Sequence, residues 1–144
     1  MKDPHRLERF VRAQDPLMEK ALAELRAGRK ESHWMWFVFP QLRGLGHSAM
    51  AERFGISSLE EARAYLDHPV LGPRLIECTK LVNEVKGRPA EEIFGYPDDM
   101  KFLSSMTLFA HASSGNEVFE EAVKKYFGGK FDGATLQRLG TAGF

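Results

Sequence analysis

Along most of the chain, apolar residues recur at the three-to-four-residue spacing of helices. Leu17, Met18, Ala21, Leu22 and Leu25 share one face, with Glu19, Lys20, Ala23, Glu24 and Arg26 opposite. That pattern predicts an amphipathic helix stopped by a left-handed Gly28. Ser57 with Glu60, and Ser58 with Glu61, offer capping boxes ahead of Leu59, Ala62 and Leu66. Helical spacing continues through Leu71, Leu75, Ile76, Leu81, Val82 and Val85, and again through Phe102, Leu103, Met106 and Phe109. Asn116 is placed to cap a helix through Phe119 and Val123 that ends at Gly128-Gly129, and Asp132 to cap a last turn around Leu136. Prolines punctuate the same scheme, because the first helical position has no need of the N–H that proline lacks. Pro4, Pro16, Pro69, Pro89 and Pro97 each precede a helical pattern, the first two after a capping aspartate, Asp3 and Asp15.

One segment fits no amphipathic template. His33-Trp34-Met35-Trp36-Phe37-Val38-Phe39 is apolar almost throughout, so composition alone admits a buried strand or a buried helix. No other segment alternates with period two, and a lone strand would leave its backbone groups unpaired. The run therefore reads as a short buried helix capped by Ser32 and ended by Pro40. In the loop Gln41 to Ser48, Gly44 and Gly46 are free to take positive φ, and Ser48 can cap the following helix. The predicted fold is a compact, all-α, single-domain array of about eight or nine mostly short helices over residues 1–140, without a sheet. Thr141 to Phe144 is expected to fray.

Composition narrows the possible functions. A chain of 144 residues with 43% hydrophobic and 11% aromatic residues can bury a full core, which excludes disorder for its bulk. Twenty basic residues offset twenty acidic ones, so the overall positive field of a nucleic-acid or membrane-surface binder is missing and neither partner is expected. A basic cluster of Arg26, Arg29 and Lys30 reads as a solvated helix end. The one cysteine, Cys78, lies amid helical apolar positions and reads as buried packing in a reducing, cytoplasmic setting. MKDPHRLERF has no apolar run of the kind a signal peptide needs. His33, His47, His68 and His111 are scattered without ligand spacing, so neither a metal nor a cofactor is expected.

Three blocks are long and unusual: SHWMWFVFPQLRGLG (Ser32 to Gly46), HPVLGPRL (His68 to Leu75) and IFGYPDDMKFLSSMTLF (Ile93 to Phe109). With them the chain resembles the bacterial domain-of-unknown-function family 1810 from about Asp3 to Leu139. The resemblance implies an all-helical fold like that of a mycobacterial hypothetical protein, and no established activity. Members of this family are often called calpastatin, but calpastatin wraps its protease with disordered, aromatic-poor segments, the opposite of this composition.

Candidate chemistry centres on the aromatic block. Trp34 and Trp36 could wall a pocket in which His33, Gln41 and Arg43 supply titratable and donor groups for a small polar or nucleotide-like ligand. Ser48 adds a hydroxyl from the same loop. Lys101, Ser104 and Ser105 lie on the polar side of the helix after Pro97, where Leu108 suggests a central helix lining a cleft. The candidate ligand site is thus His33, Trp36, Gln41, Arg43, Ser48, Lys101, Ser104 and Ser105, with catalytic residues unassigned. The plainer readings are that the aromatics are core and the serines are close-packing groups. Two other functions stand beside ligand binding: an interaction module without chemistry, and a hydrolase of an ADP-ribose-like glycosidic bond. The latter rests on the faint similarity of Glu61 to Val82 to a helical segment of ADP-ribose-processing glycosidases.

Overall fold

In the computed structural model, which describes residues 3–140, the pattern resolves into ten helices. They are α1 (Glu8–Gln14), α2 (Met18–Ala27), α3 (Met35–Val38), α4 (Ala49–Phe54), α5 (Leu59–Asp67), α6 (Leu71–Glu84), α7 (Ala90–Phe94), α8 (Asp98–Ala112), α9 (Val118–Phe127) and α10 (Gly133–Leu139). The count is one or two above the expected eight or nine, and it includes the short helices expected from the aromatic run (α3, four residues) and after Pro89 (α7, five residues). Among the described residues the chain forms no strand, only one isolated parallel bridge between Leu42 and Ile56. The tail expected to fray lies outside the described residues.

Helix α8 is the centre of the fold. It packs against α3, α5, α7, α9 and α10, and every residue from Phe102 to Phe109 is buried. Its weak amphipathicity in the sequence follows from that position, since a helix covered on all sides needs no polar face. Aromatic rings join the elements around it. Phe39 of the α3 C-cap meets Phe94 and Phe102 edge-on, Phe94 stacks on Phe102, and Tyr65 of α5 packs on Phe109. Such ring pairs add about 0.5–1.5 kcal/mol each beyond the area they bury.

Local signals set most boundaries. Ser48, Ser58 and Asp132 accept hydrogen bonds from the amides of Ala51, Glu61 and Thr135, so α4, α5 and α10 begin where capping residues stand. Asp3 accepts from the amides of Leu7 and Glu8, but Asp15 pairs instead with Arg74 at 2.8 Å. Pro89 and Pro97 are N-caps, and Pro16 and Pro69 stand two residues before their helices, so proline sits slightly earlier than the first-position rule predicts. Asn116 acts one residue outside the N-cap of α9, where its side-chain oxygen accepts from the Val118 amide.

Ser32 is not the cap of α3. Its hydroxyl donates to Glu24 at 2.6 Å, because a buried carboxylate needs donors more than a four-residue helix needs a cap. Of the two loop glycines, Gly44 has φ +97°, whereas Gly46 owes its place to crowding: a Cβ there would come within 2.9 Å of the Ala51 Cβ.

Candidate functional site

The aromatic block has two differently built sides. Trp34 is completely buried, and its indole N–H donates to Glu24 Oε1 at 2.9 Å. The Glu24 carboxylate also accepts from the amides of Glu31 and Ser32 and from the Ser32 hydroxyl. Burial opposes its ionisation, but these four donors outweigh burial and bring its pKa down from 4.5 to about 2. This side is a closed structural network.

On the other side, Trp36 is half-buried and lines a narrow crevice with Gln41, Lys101, Met35, Met50 and Gly55. Four elements meet there: α3, the Gln41–Ser48 loop, α4 and the first turn of α8. The loop is held by the Leu42–Ile56 bridge, in which the Gln41 carbonyl accepts from the Ile56 amide at 2.9 Å and the Arg43 amide donates to the Ile56 carbonyl at 2.8 Å. Gly55 permits this approach, since a Cβ there would come within 2.7 Å of the Arg43 Cβ. The space a water can occupy is about 10 Å³, room for about one water molecule.

The electrostatics of the crevice are unbalanced. Lys101 Nζ stands 4.6 Å from the Trp36 ring centroid and 3.3 Å from Asp98 Oδ1. Lys30, whose side chain is only 7% exposed, pairs with the other oxygen of the same carboxylate at 2.8 Å. Two ammonium groups thus share one carboxylate, so the three carry one net positive charge, with Lys101 against the Trp36 ring and Lys30 Nζ 5.2 Å from the Trp34 ring centroid. Three buried side-chain polar atoms among the described residues have no hydrogen-bond partner: Asn83 Oδ1, Ser105 Oγ and Arg43 Nε, the last belonging to a residue that adjoins this crevice at Gly55. Ser105 follows Lys101 by one turn on α8 and is fully buried. The Gln41 side chain makes no hydrogen bond to the described residues either.

Of the eight residues expected at the site, Trp36, Gln41 and Lys101 line the crevice, Arg43 adjoins it at Gly55, and Ser105 is buried in α8 one turn beyond Lys101. The other three lie elsewhere. His33 is exposed, Ser48 is spent on capping α4, and Ser104 bonds to the Met100 carbonyl and to Asp132 Oδ2. Sequence reasoning missed Lys30 and Asp98 as one charge system, since 68 positions separate the partners. It also missed Glu24, for which the adjacent donor-rich stretch Glu31 to Trp34 was the available signal.

Cys78 is buried, and burial, with Glu77 adding to it, pushes its thiol up to about 12, which suits packing rather than nucleophilic chemistry. Among the described residues no group of three or more His, Cys, Asp or Glu is placed to hold a metal ion. None of their helices is long and apolar enough to cross a membrane.

A compact helical fold around a buried aromatic block agrees with what comparison shows. The chain belongs to the family of proteins of unknown function DUF1810, whose model matches residues 4–139. It is similar to the conserved hypothetical protein Rv1873 from Mycobacterium tuberculosis, whose crystal structure aligns with a TM-score of 0.95 at 62% identity, covering 96% of this chain and 99% of that one. No functionally curated protein matches.

Proposed function

We propose that the protein binds a small ligand through an anionic group, a carboxylate or phosphate, at the mouth of the Trp36–Gln41–Lys101 crevice. The carrying observation is the charge count: Lys30 and Lys101 divide one carboxylate, Asp98, beside a half-buried indole. An incoming anion would complete that balance, accept from Lys101 and from the Gln41 amide, and place the rest of the ligand against the exposed part of Trp36. The crevice is too narrow to enclose a nucleoside or a phosphate, so a nucleotide-like ligand would rest its phosphate at the mouth and keep its base outside unless Trp36 turned out.

Binding without turnover is the reading the side chains favour. The crevice lining contains no carboxylate, and Asp98 is held by two ammonium groups, which leaves glycosidic hydrolysis without an acid–base pair there. An interaction module would need a contiguous apolar patch, and among the described residues only Tyr96 and Met100 are large exposed hydrophobics.

The test is thermal unfolding against phosphate, acetate, nucleotides, NAD and ADP-ribose, repeated with Lys101→Met. A ligand at 100 times its dissociation constant adds about 2.7 kcal/mol and raises the midpoint by about 5–10 °C in a domain of this size. The proposal expects such a shift from at least one anion and its loss in the variant. A flat panel, or a shift that survives Lys101→Met, overturns it.

A further inference from the structure

A second cleft lies between α5, α6 and the α8–α9 loop, away from the aromatic block, with about 310 Å³ open to water. That is near the lower end of the volumes that hold small molecules. Its apolar wall comes from Leu66, Ile76 and Phe119. Its polar rim carries Arg63 and Asp67, four residues apart and so on the same face of α5. At this spacing opposite charges commonly pair, yet neither makes an ion pair or side-chain hydrogen bond to any described residue. Ser114, across the cleft in the loop, likewise has a hydroxyl without a partner, whereas its neighbours Ser113 and Asn116 are occupied in bonds that shape the loop.

From these features we infer that the cleft is a site for a free apolar α-amino acid in its zwitterionic form. One unpaired cation and one unpaired anion on one rim match a ligand that carries both charges and no net charge. Arg63 would take the α-carboxylate, through the forked geometry that suits it to that group, and Asp67 the α-ammonium. The apolar wall would receive the side chain, and the Ser114 hydroxyl is free to add a bond to the carboxylate. A simple anion would gain from Arg63 but meet Asp67, and a simple cation the reverse, so both are disfavoured.

Titration of the ¹⁵N-labelled full chain with L-leucine and L-phenylalanine tests this. The expected result is saturable shifts in the amides of Leu66, Asp67 and Ser113 to Asn116, with those of Trp36 and Gln41 unmoved. N-acetyl-L-leucine, which lacks the ammonium, and L-leucinamide, which lacks the carboxylate, should each bind at least tenfold more weakly than L-leucine. Arg63→Gln and Asp67→Asn should weaken L-leucine at least tenfold with unchanged unfolding midpoints, because both side chains are exposed or unpaired in the fold. Absence of saturable shifts with either amino acid overturns the inference. So does binding of either blocked analogue as tight as that of L-leucine, or shifts that map to the aromatic block.

Discussion

Trp34 and Trp36 stand two residues apart at the start of one short helix, and the polar groups around them are paired to very different degrees. Beside Trp34 four donors find the Glu24 carboxylate, two amides, one hydroxyl and the indole N–H, and the Lys30 ammonium over the ring pairs with Asp98. Beside Trp36 the tally is open, with the Lys101 ammonium sharing its carboxylate, an unbonded Gln41 amide and Arg43 Nε buried without a partner; Ser105 Oγ, one turn beyond Lys101 on α8, has none either. Buried polar groups are ordinarily satisfied, and an unsatisfied one costs about 1–3 kcal/mol. A fold that completes one network and leaves its neighbour open has used the first for stability. On the reading proposed above, the second is where spare interaction energy is available to a ligand.

The largest expected effect tests this division directly. Trp34→Ala removes a fully buried ring and strands the Glu24 network, so it should cost about 3–5 kcal/mol in urea unfolding. Trp36→Ala, at a half-buried position, should cost less than half as much. Similar losses for the two would break the comparison, since both tryptophans would then be core.

Glu24→Gln comes next, at about 1–3 kcal/mol near neutral pH, because the amide offers one acceptor where the carboxylate offered two. The loss should depend on pH. With its folded-state pKa lowered to about 2 from 4.5, Glu24 contributes stability fully above about pH 4.5 and loses it as pH falls toward 2. Comparing against the variant isolates this group from Glu61 and Asp3, whose carboxylates are also lowered. The wild-type advantage should therefore shrink from pH 6 to pH 2.5. A constant gap would mean that the network does not depend on the charge.

The same contrast explains what could be read in the sequence. Helix ends were legible because their causes are local: Gly28 stops α2 with φ +73°, and Ser48, Ser58 and Asp132 cap with their own side chains. Placing Trp36, Gln41 and Lys101 together was also within reach, since polar residues beside a wholly apolar run must face something. Ser104 could not be separated from that group, because its partner Asp132 claims it only in the folded chain, whereas Ser48's cap of α4 is local and competed with the site reading in the sequence itself. Nor could the shared Asp98 carboxylate or the rim of Arg63, Asp67 and Ser114, each assembled from distant segments. Ser32 was misread for a related reason: its local position suits a cap, but Glu24 outbids the helix for its hydroxyl.

The adjacent serines of α8 give a smaller and sharper contrast. Ser104→Ala removes the bond to Asp132, whose Oδ2 also accepts from Thr135, and should cost about 0.5–1.5 kcal/mol. Ser105→Ala removes a buried hydroxyl that is bonded to nothing, so it should be neutral or stabilising by up to about 1 kcal/mol. If Ser105→Ala instead destabilises by more than Ser104→Ala, its hydroxyl is satisfied in solution and the open side of the block is less open than its geometry implies.

His33→Ala is the smallest effect and the last check on which side of the block interacts. The residue precedes Trp34 in the chain but is exposed, with no hydrogen bond to the described residues holding its ring, and surface changes of this kind stay within about 0.5 kcal/mol. It should therefore leave both the unfolding midpoint and any anion-induced shift unchanged, whereas Lys101→Met should remove the shift. If His33→Ala removed it and Lys101→Met did not, the ligand would be held on the Glu24 side. The completed network would then be the binding surface, and the open crevice a packing defect.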